Sequence, residues 1–318
     1  MSGVLDQHAV GGVAAAQVRV HRCPACGGAL AGREEALACA GCGAAWPLEG
    51  GIARFASARS AGNGPPGFDA SYFDLLARVE DEQFWFVSRR AVILDGLRRF
   101  VPDLSARPLY DVGCGPGGLL AYLAAHGVPI AGACDAHMEG LVVARRRLDV
   151  PLAHVDNDGP PPLARGQKML GMFDVLEHID DDEGTLRWAA DVLEPGGIFV
   201  ATVPAHPFLF DEADVLAFHR RRYRRRELDE RLRRAGFEVR LLTHFMAPLV
   251  PMLMLSRAVG RLLRGRSFAT HRQSELGLVP VLNPALRGVL ALERRALRVV
   301  RLPFGTSLLA VAARGARH

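Results

Sequence analysis

The sequence predicts an α/β chain built on a mostly parallel, doubly wound, Rossmann-like sheet with a small cysteine module ahead of it. Three observations carry that reading. An apolar strand that contains an acid, Leu109-Tyr110-Asp111-Val112, runs into a glycine turn, Gly113-Cys114-Gly115-Pro116-Gly117-Gly118. Further apolar segments of strand length close on Asp135, Asp156 and Asp174, with helix-length segments between them, the alternation that a parallel sheet covered on both faces requires. Two Cys-x-x-Cys knuckles, Cys23-Pro24-Ala25-Cys26 and Cys39-Ala40-Gly41-Cys42, stand far upstream of the sheet. At 318 residues and 49% hydrophobic side chains, the chain can bury one substantial core and a small appendage.

Taken from the N-terminus, residues 1–19 are small and weakly apolar. They carry Asp6 and lack a positive start, so they read as a flexible N-terminus rather than a signal peptide, and the protein is expected in the cytoplasm. Residues 20–56 read as a zinc ribbon. Each knuckle sets two thiolates on one side of a tight turn, and Cys23, Cys26, Cys39 and Cys42 together close a tetrahedral, saturated and hence structural site. A redox pair or disulfides suit a cytosolic chain less well. With few apolar residues between the knuckles, zinc binding worth roughly 10 kcal/mol or more supplies the module's stability. Residues 46–55 look like its last hairpin, and residues 57–67, rich in Gly, Pro and Ser, like a linker to a main domain over 68–318.

The glycine turn is the centre of the reading. Gly113, Gly115 and Gly117 let the backbone turn sharply and approach a ligand without a Cβ, and the helix that follows aims free N–H groups into the same space. The letters also satisfy Gly-x-Gly-x-x-Gly, which leaves a nicotinamide-dependent oxidoreductase open on glycine spacing alone. Asp111, two residues before the first glycine, would repel a pyrophosphate and suits an amine or hydroxyl. Asp135, twenty residues past Gly115, is placed to take both hydroxyls of a ribose.

Taken in order, these segments, with Asp174-Val175-Leu176-Glu177-His178 and His219-Arg220-Arg221-…-Tyr223, resemble class I S-adenosylmethionine (SAM) methyltransferases over residues 70–313. The resemblance implies a seven-stranded sheet and SAM bound at the carboxyl ends of its strands. It implies cofactor contacts at Asp111, Gly113, Gly115, Gly117, Asp135, Ala136, Asp156, Asn157, Phe173 and Asp174. Trp85 and Arg89, in the helical segment before the first strand, are implied to cover the methionyl end. Packing on the sheet accounts for Trp85 and Phe86 equally well. Between a sixth strand at 236–243 and a seventh at 306–312 lies an apolar, arginine-studded helical insertion, 245–303, where this fold has a short turn. A helical cap packed on its own core, a dimer face or a peripheral membrane contact all suit it.

Two histidines are candidate catalytic bases, His178 after the fourth strand and His219 after the fifth. Asp174, Glu177, His178 and His219 are also similar to constellations that bind a divalent ion such as magnesium in ubiquinone-pathway and small-RNA methyltransferases, where a metal lowers a hydroxyl pKa. The basic residues are one Lys and 38 Arg, six of them within 220–226. Such a run suits a solvated helix start better than a phosphate site, and Tyr223 is its only aromatic. The expected reaction is O-methylation of a small, partly apolar acceptor, a specialised metabolite or lipid-linked intermediate. An RNA methyltransferase that reads its substrate through the ribbon is the alternative.

Overall fold

The computed structural model describes residues 7–57, 70–156, 159–262 and 282–315. Two compact units emerge, one of Met1–Ala77, Ser105–Gly171 and Asp191–Gly197, the other of Arg78–Leu104, Met172–Ala190 and Ile198–His318.

The first unit begins with a helix, α1 (Gln7–Val20), over the segment expected to be flexible. Gln17 explains the difference. Its side chain is wholly buried and donates to the carbonyls of Gly51 and Leu152, so the end of the helix is tied down. Strands β1 (Leu30–Gly32), β2 (Ala36–Cys39), β3 (Ala45–Glu49) and β4 (Ile52–Arg54) form the antiparallel ribbon. The ribbon does not stop there. β4 pairs in parallel with β7 (Leu152–His154), which pairs in parallel with β6 (Ile130–Asp135), and β6 with β5 (Leu109–Val112). Leu109, Tyr110, Ala133, Cys134, Leu152 and Ala153 are wholly buried, as expected of parallel strands covered on both faces. Helices α2 (Ala70–Val79), α4 (Gly118–Ala125) and α5 (Met138–Arg145) belong to this unit. Residues 58–69, most of the expected linker, lie outside the described residues.

In the second unit β9 (Leu193–Pro204), β11 (Ser307–Arg314) and β10 (Phe237–Phe245) pair antiparallel in that order. β8 (Gln167–Phe173) and β9 both run from the first unit into the second. Helix α3 (Phe84–Phe100) starts where the Gln83 side chain accepts from the N–H of Trp85, buries Val92, Ile93, Leu94 and Leu97, and stops before Pro102. Helices α6 (Asp182–Val192), α7 (Glu212–Leu216) and α8 (Arg225–Arg234) follow β8 and β9. Between β10 and β11, within the expected insertion 245–303, lie α9 (Leu249–Leu262) and α10 (Leu282–Ala296). Leu286 and Leu290 of α10 are buried, and its Glu293 carboxylate accepts from the N–H groups of Met246 (2.9 Å) and Ala247 (2.7 Å). One acid thus caps the left-handed bend at Met246 (φ 61°) where the chain leaves β10.

Candidate functional site

Chemistry-bearing residues collect at three places. The first is the end of β5 in the first unit. Gly113, Gly115 and Gly117 all take positive φ, at 80°, 53° and 78°, a region open to glycine at little cost. A Cβ on Gly117 would meet Leu148 at 3.0 Å, whereas one on Gly115 would meet no atom within 4 Å, so that side of the turn is clear of protein. Asp111 and Asp135 are both buried. The Asp135 carboxylate accepts from the N–H of Gly115 (2.7 Å), the N–H of His137 (2.8 Å) and His137 Nδ1 (3.1 Å). Burial alone would raise its pKa, but the His137 contacts and the two N–H groups outweigh it and hold the carboxyl below its ordinary range. Asp135 therefore stays ionised and pins the glycine turn. Ala136 follows it, its carbonyl 3.2 Å from His154 Nε2. Asp156 accepts from the N–H and hydroxyl of Ser57, the residue that follows the ribbon. Asn157 lies outside the described residues.

The second place follows β8 in the second unit. Phe173 is buried at the strand end, and Asp174 turns the chain with φ 58°. Its carboxylate meets Arg89 Nη2 at 2.5 Å and accepts from the Thr202 hydroxyl, to which Arg89 also donates. Trp85 stacks over the Arg89 guanidinium, 5.2 Å from it. Arg89 thus neutralises Asp174 and braces Thr202 of β9. Substituting Arg89→Met strands a largely buried carboxylate and is expected to cost about 3 kcal/mol, read by chemical denaturation. Arg89→Lys, which lacks the planar fork, restores only part of that.

Glu177, His178 and His219 come together, with one ligating atom from each lying within 4.8 Å of the others. Asp174, the fourth residue expected there, is not among them, because Arg89 and Thr202 occupy it. Glu177 is wholly buried, neither carboxylate oxygen has a hydrogen-bond partner, and His219 Nε2 stands 4.0 Å away. Burial first, and the charge of Asp174 second, drive its carboxyl well above the usual carboxylate range. His178 is the exposed member, its ring edge-on to His219 at 4.9 Å. His219 Nδ1 pairs with buried Asp214 at 2.7 Å, which leaves Nε2 as the ring nitrogen that faces Glu177. Asp214 is held in turn by Arg222 Nε at 2.8 and 2.9 Å. This carboxylate–imidazole pairing is the usual means of fixing a ligand histidine. Just before it, Phe218 sits at φ 60°, an outlier for a bulky side chain and one of the strained positions that cluster at functional sites.

The arginine run is spent internally: Arg221 pairs with Asp182 at 3.1 Å, Arg222 with Asp214, and Arg220 with Asp180 at 3.3 Å. Tyr223, wholly buried, donates to Asp182 at 2.6 Å. The third place is the cysteine cluster. Cys23 Sγ lies 3.7 Å from Cys42 Sγ and Cys26 Sγ 3.5 Å from Cys39 Sγ, far too long for disulfides and close to the edge of a tetrahedron with metal–sulfur bonds of about 2.3 Å.

Residues 86–242 match a family model described as a methyltransferase domain. The ubiquinone biosynthesis O-methyltransferase of Marinobacter nauticus is 31% identical over 186 residues, covering 49% of this chain and 75% of that protein. Its counterpart in Bordetella bronchiseptica is 32% identical over 148 residues, and the chain spans only 61% of that relative. Among solved structures, phosphoethanolamine N-methyltransferase 2 of Haemonchus contortus in complex with SAM superposes with a TM-score of 0.50 at 15% identity. That match covers 79% of this chain and 58% of that one, and it supports the fold. The dinucleotide alternative left open by the glycine spacing falls away, and the chain belongs to the class I SAM-dependent methyltransferases.

Proposed function

We propose that the protein transfers the SAM methyl group to a hydroxyl of a small, partly apolar acceptor, from a site in the cytoplasm. The observation that carries the reading is Glu177, a wholly buried carboxylate without a hydrogen bond, beside two imidazoles. Such a group costs stability and is kept where it does chemistry. The relatives' role in ubiquinone biosynthesis supports a hydroxyl on an apolar carrier as the acceptor class.

Bound SAM supplies an electrophilic methyl, and the chain aligns and deprotonates. Asp135 is the ribose acceptor, the N–H groups that open α4 and the clear side of Gly115 receive the cofactor's polar chain, and Asp111 meets its amine. The family resemblance assigns apolar cover of the cofactor to Phe173 and Trp85. His178, the exposed base, takes the acceptor's proton, and His219, oriented by Asp214, holds the local charge. Glu177, His178 and His219 also fit a divalent ion. One carboxylate with two imidazoles suits manganese, iron or zinc better than magnesium, which prefers oxygen ligands. Such an ion would supply a lowered hydroxyl pKa. Cys23, Cys26, Cys39 and Cys42 would hold a structural zinc.

The deciding experiment is isothermal titration of S-adenosylhomocysteine into wild type and Asp135→Ala. The substitution should weaken binding at least tenfold, about 1.4 kcal/mol, and more if the freed Gly115 turn loosens. Equal affinity in the two proteins would remove Asp135 from the cofactor site, and an acceptor panel of phenols and apolar-tailed hydroxyls follows a positive result.

A further inference from the structure

We infer that α10 docks the protein on an anionic lipid bilayer. At 3.6 residues per turn the helix has three sectors. Leu286, Leu290 and Glu293 face the protein and are buried. Leu282 and Val289 border that buried face and with Leu292, farther round, form an apolar stripe that is 42%, 44% and 61% exposed. Between the two on the far side lies a basic sector with Arg287 and Arg295, both exposed. The only acid of the helix, Glu293, is spent on the N–H groups of Met246 and Ala247.

Charge selects the occupant. Residues 245–303 hold ten arginines against Glu275 and Glu293, a formal +8 in a chain that is only +5 overall; Arg294 and Arg298 pair with Asp95, while Arg287 and Arg295 stand exposed. An apolar stripe beside a basic flank is the pattern of a helix that lies in the headgroup plane, its apolar side chains in the acyl boundary and its arginines among anionic headgroups. A second copy would bring the same basic flank against itself. A nucleic acid would leave the stripe bare, because the stripe offers no aromatic ring for stacking. No described helix is long and apolar enough to cross a membrane, so the contact is peripheral. The acceptor class proposed above gains a reason from this, since an apolar-tailed hydroxyl would be met where it resides, but the inference stands on α10 alone.

Flotation of the full chain with vesicles tests it. The protein should float with phosphatidylglycerol-containing vesicles and not with pure phosphatidylcholine, and lose most of that binding in high salt. Leu292→Asp and the pair Arg287→Glu with Arg295→Glu should each lower the bound fraction tenfold or more. All these side chains are exposed, so S-adenosylhomocysteine affinity and thermal midpoint should stay as in wild type. Absence of flotation overturns the inference, as does binding indifferent to either variant. A concentration-dependent dimer lost with Leu292→Asp assigns the stripe to a second copy instead, and RNA retention lost only with the arginine pair assigns the basic sector to nucleic acid; both overturn it.

Discussion

Removing zinc, by chelation or by Cys39→Ser, is expected to unfold the edge of the catalytic sheet together with the ribbon. A zinc held by Cys23, Cys26, Cys39 and Cys42, as proposed above, would contribute roughly 10 kcal/mol, comparable with the whole stability of a typical domain. Its loss would be transmitted by three contacts. β4 runs in register with β7, Ile52 opposite Leu152 and Arg54 opposite His154. The N–H groups of Phe55 and Ala56 both donate to the His154 carbonyl, and Ser57 holds Asp156. Buried His21 meets the Tyr110 hydroxyl at 2.8 Å, one residue before Asp111. Across β7 from β4, His154 stands opposite Asp135. A metal-free chain should therefore lose Trp46 near-ultraviolet dichroism and at least ten degrees of thermal midpoint, and should bind S-adenosylhomocysteine at least tenfold more weakly. Retained cofactor affinity in a protein whose ribbon has melted would show that the shared strands transmit nothing.

That coupling marks where sequence reading reached its limit. The two knuckles announce a ribbon because thiolate spacing is local chemistry, and the acid-ending apolar runs announce parallel strands because burial on both faces leaves a continuous apolar signature. Nothing local says that Ile52-Ala53-Arg54 will pair with a strand a hundred residues later. The same holds for α1: its small, weakly apolar residues read as a loose end until Gln17 finds the carbonyls of Gly51 and Leu152. In the insertion the helices are visible as apolar periodicity, but the acid that fastens them, Glu293, looks like any surface glutamate until its backbone partners are seen.

The catalytic side divides the same way. Glu177, His178 and His219 stand out because they lie in the two motifs that carry the resemblance, Asp174-Val175-Leu176-Glu177-His178 and His219-Arg220-Arg221-…-Tyr223. Asp174 joins them through the resemblance to metal-binding constellations, but a left-handed turn at that residue sends its carboxylate to Arg89, 85 positions upstream. Asp214 and Arg222 were missed altogether. Their role depends on the strained turn at Phe218, and a phenylalanine carries no sequence signal for positive φ.

Substituting Glu177→Gln is expected to stabilise the protein while abolishing most of its methyl transfer. The two signs together separate function from structure. The carboxyl is wholly buried without a hydrogen bond, so its ionisation is opposed by burial and by the Asp174 charge. Its folded pKa lies above its unfolded one. Between those values the folded chain holds a proton that the unfolded chain has released, so stability falls as pH rises through the interval. A neutral, isosteric amide removes that dependence and should gain about 1–3 kcal/mol near neutral pH, with the gain shrinking toward zero below the ordinary carboxylate pKa of about 4.3. Methylation should meanwhile drop 10²-fold or more in kcat, the scale of losing a positioned acid–base or metal-ligating group, with cofactor affinity within twofold of wild type. Because a cation must displace the Glu177 proton, manganese affinity should rise with pH more steeply in the wild type than in the variant, where only the two imidazoles still release protons. Denaturation curves at several pH values, single-turnover methylation and manganese titration measure these together. A Glu177→Gln protein that is less stable than wild type and fully active would make Glu177 a structural residue and leave the proton to His178 alone.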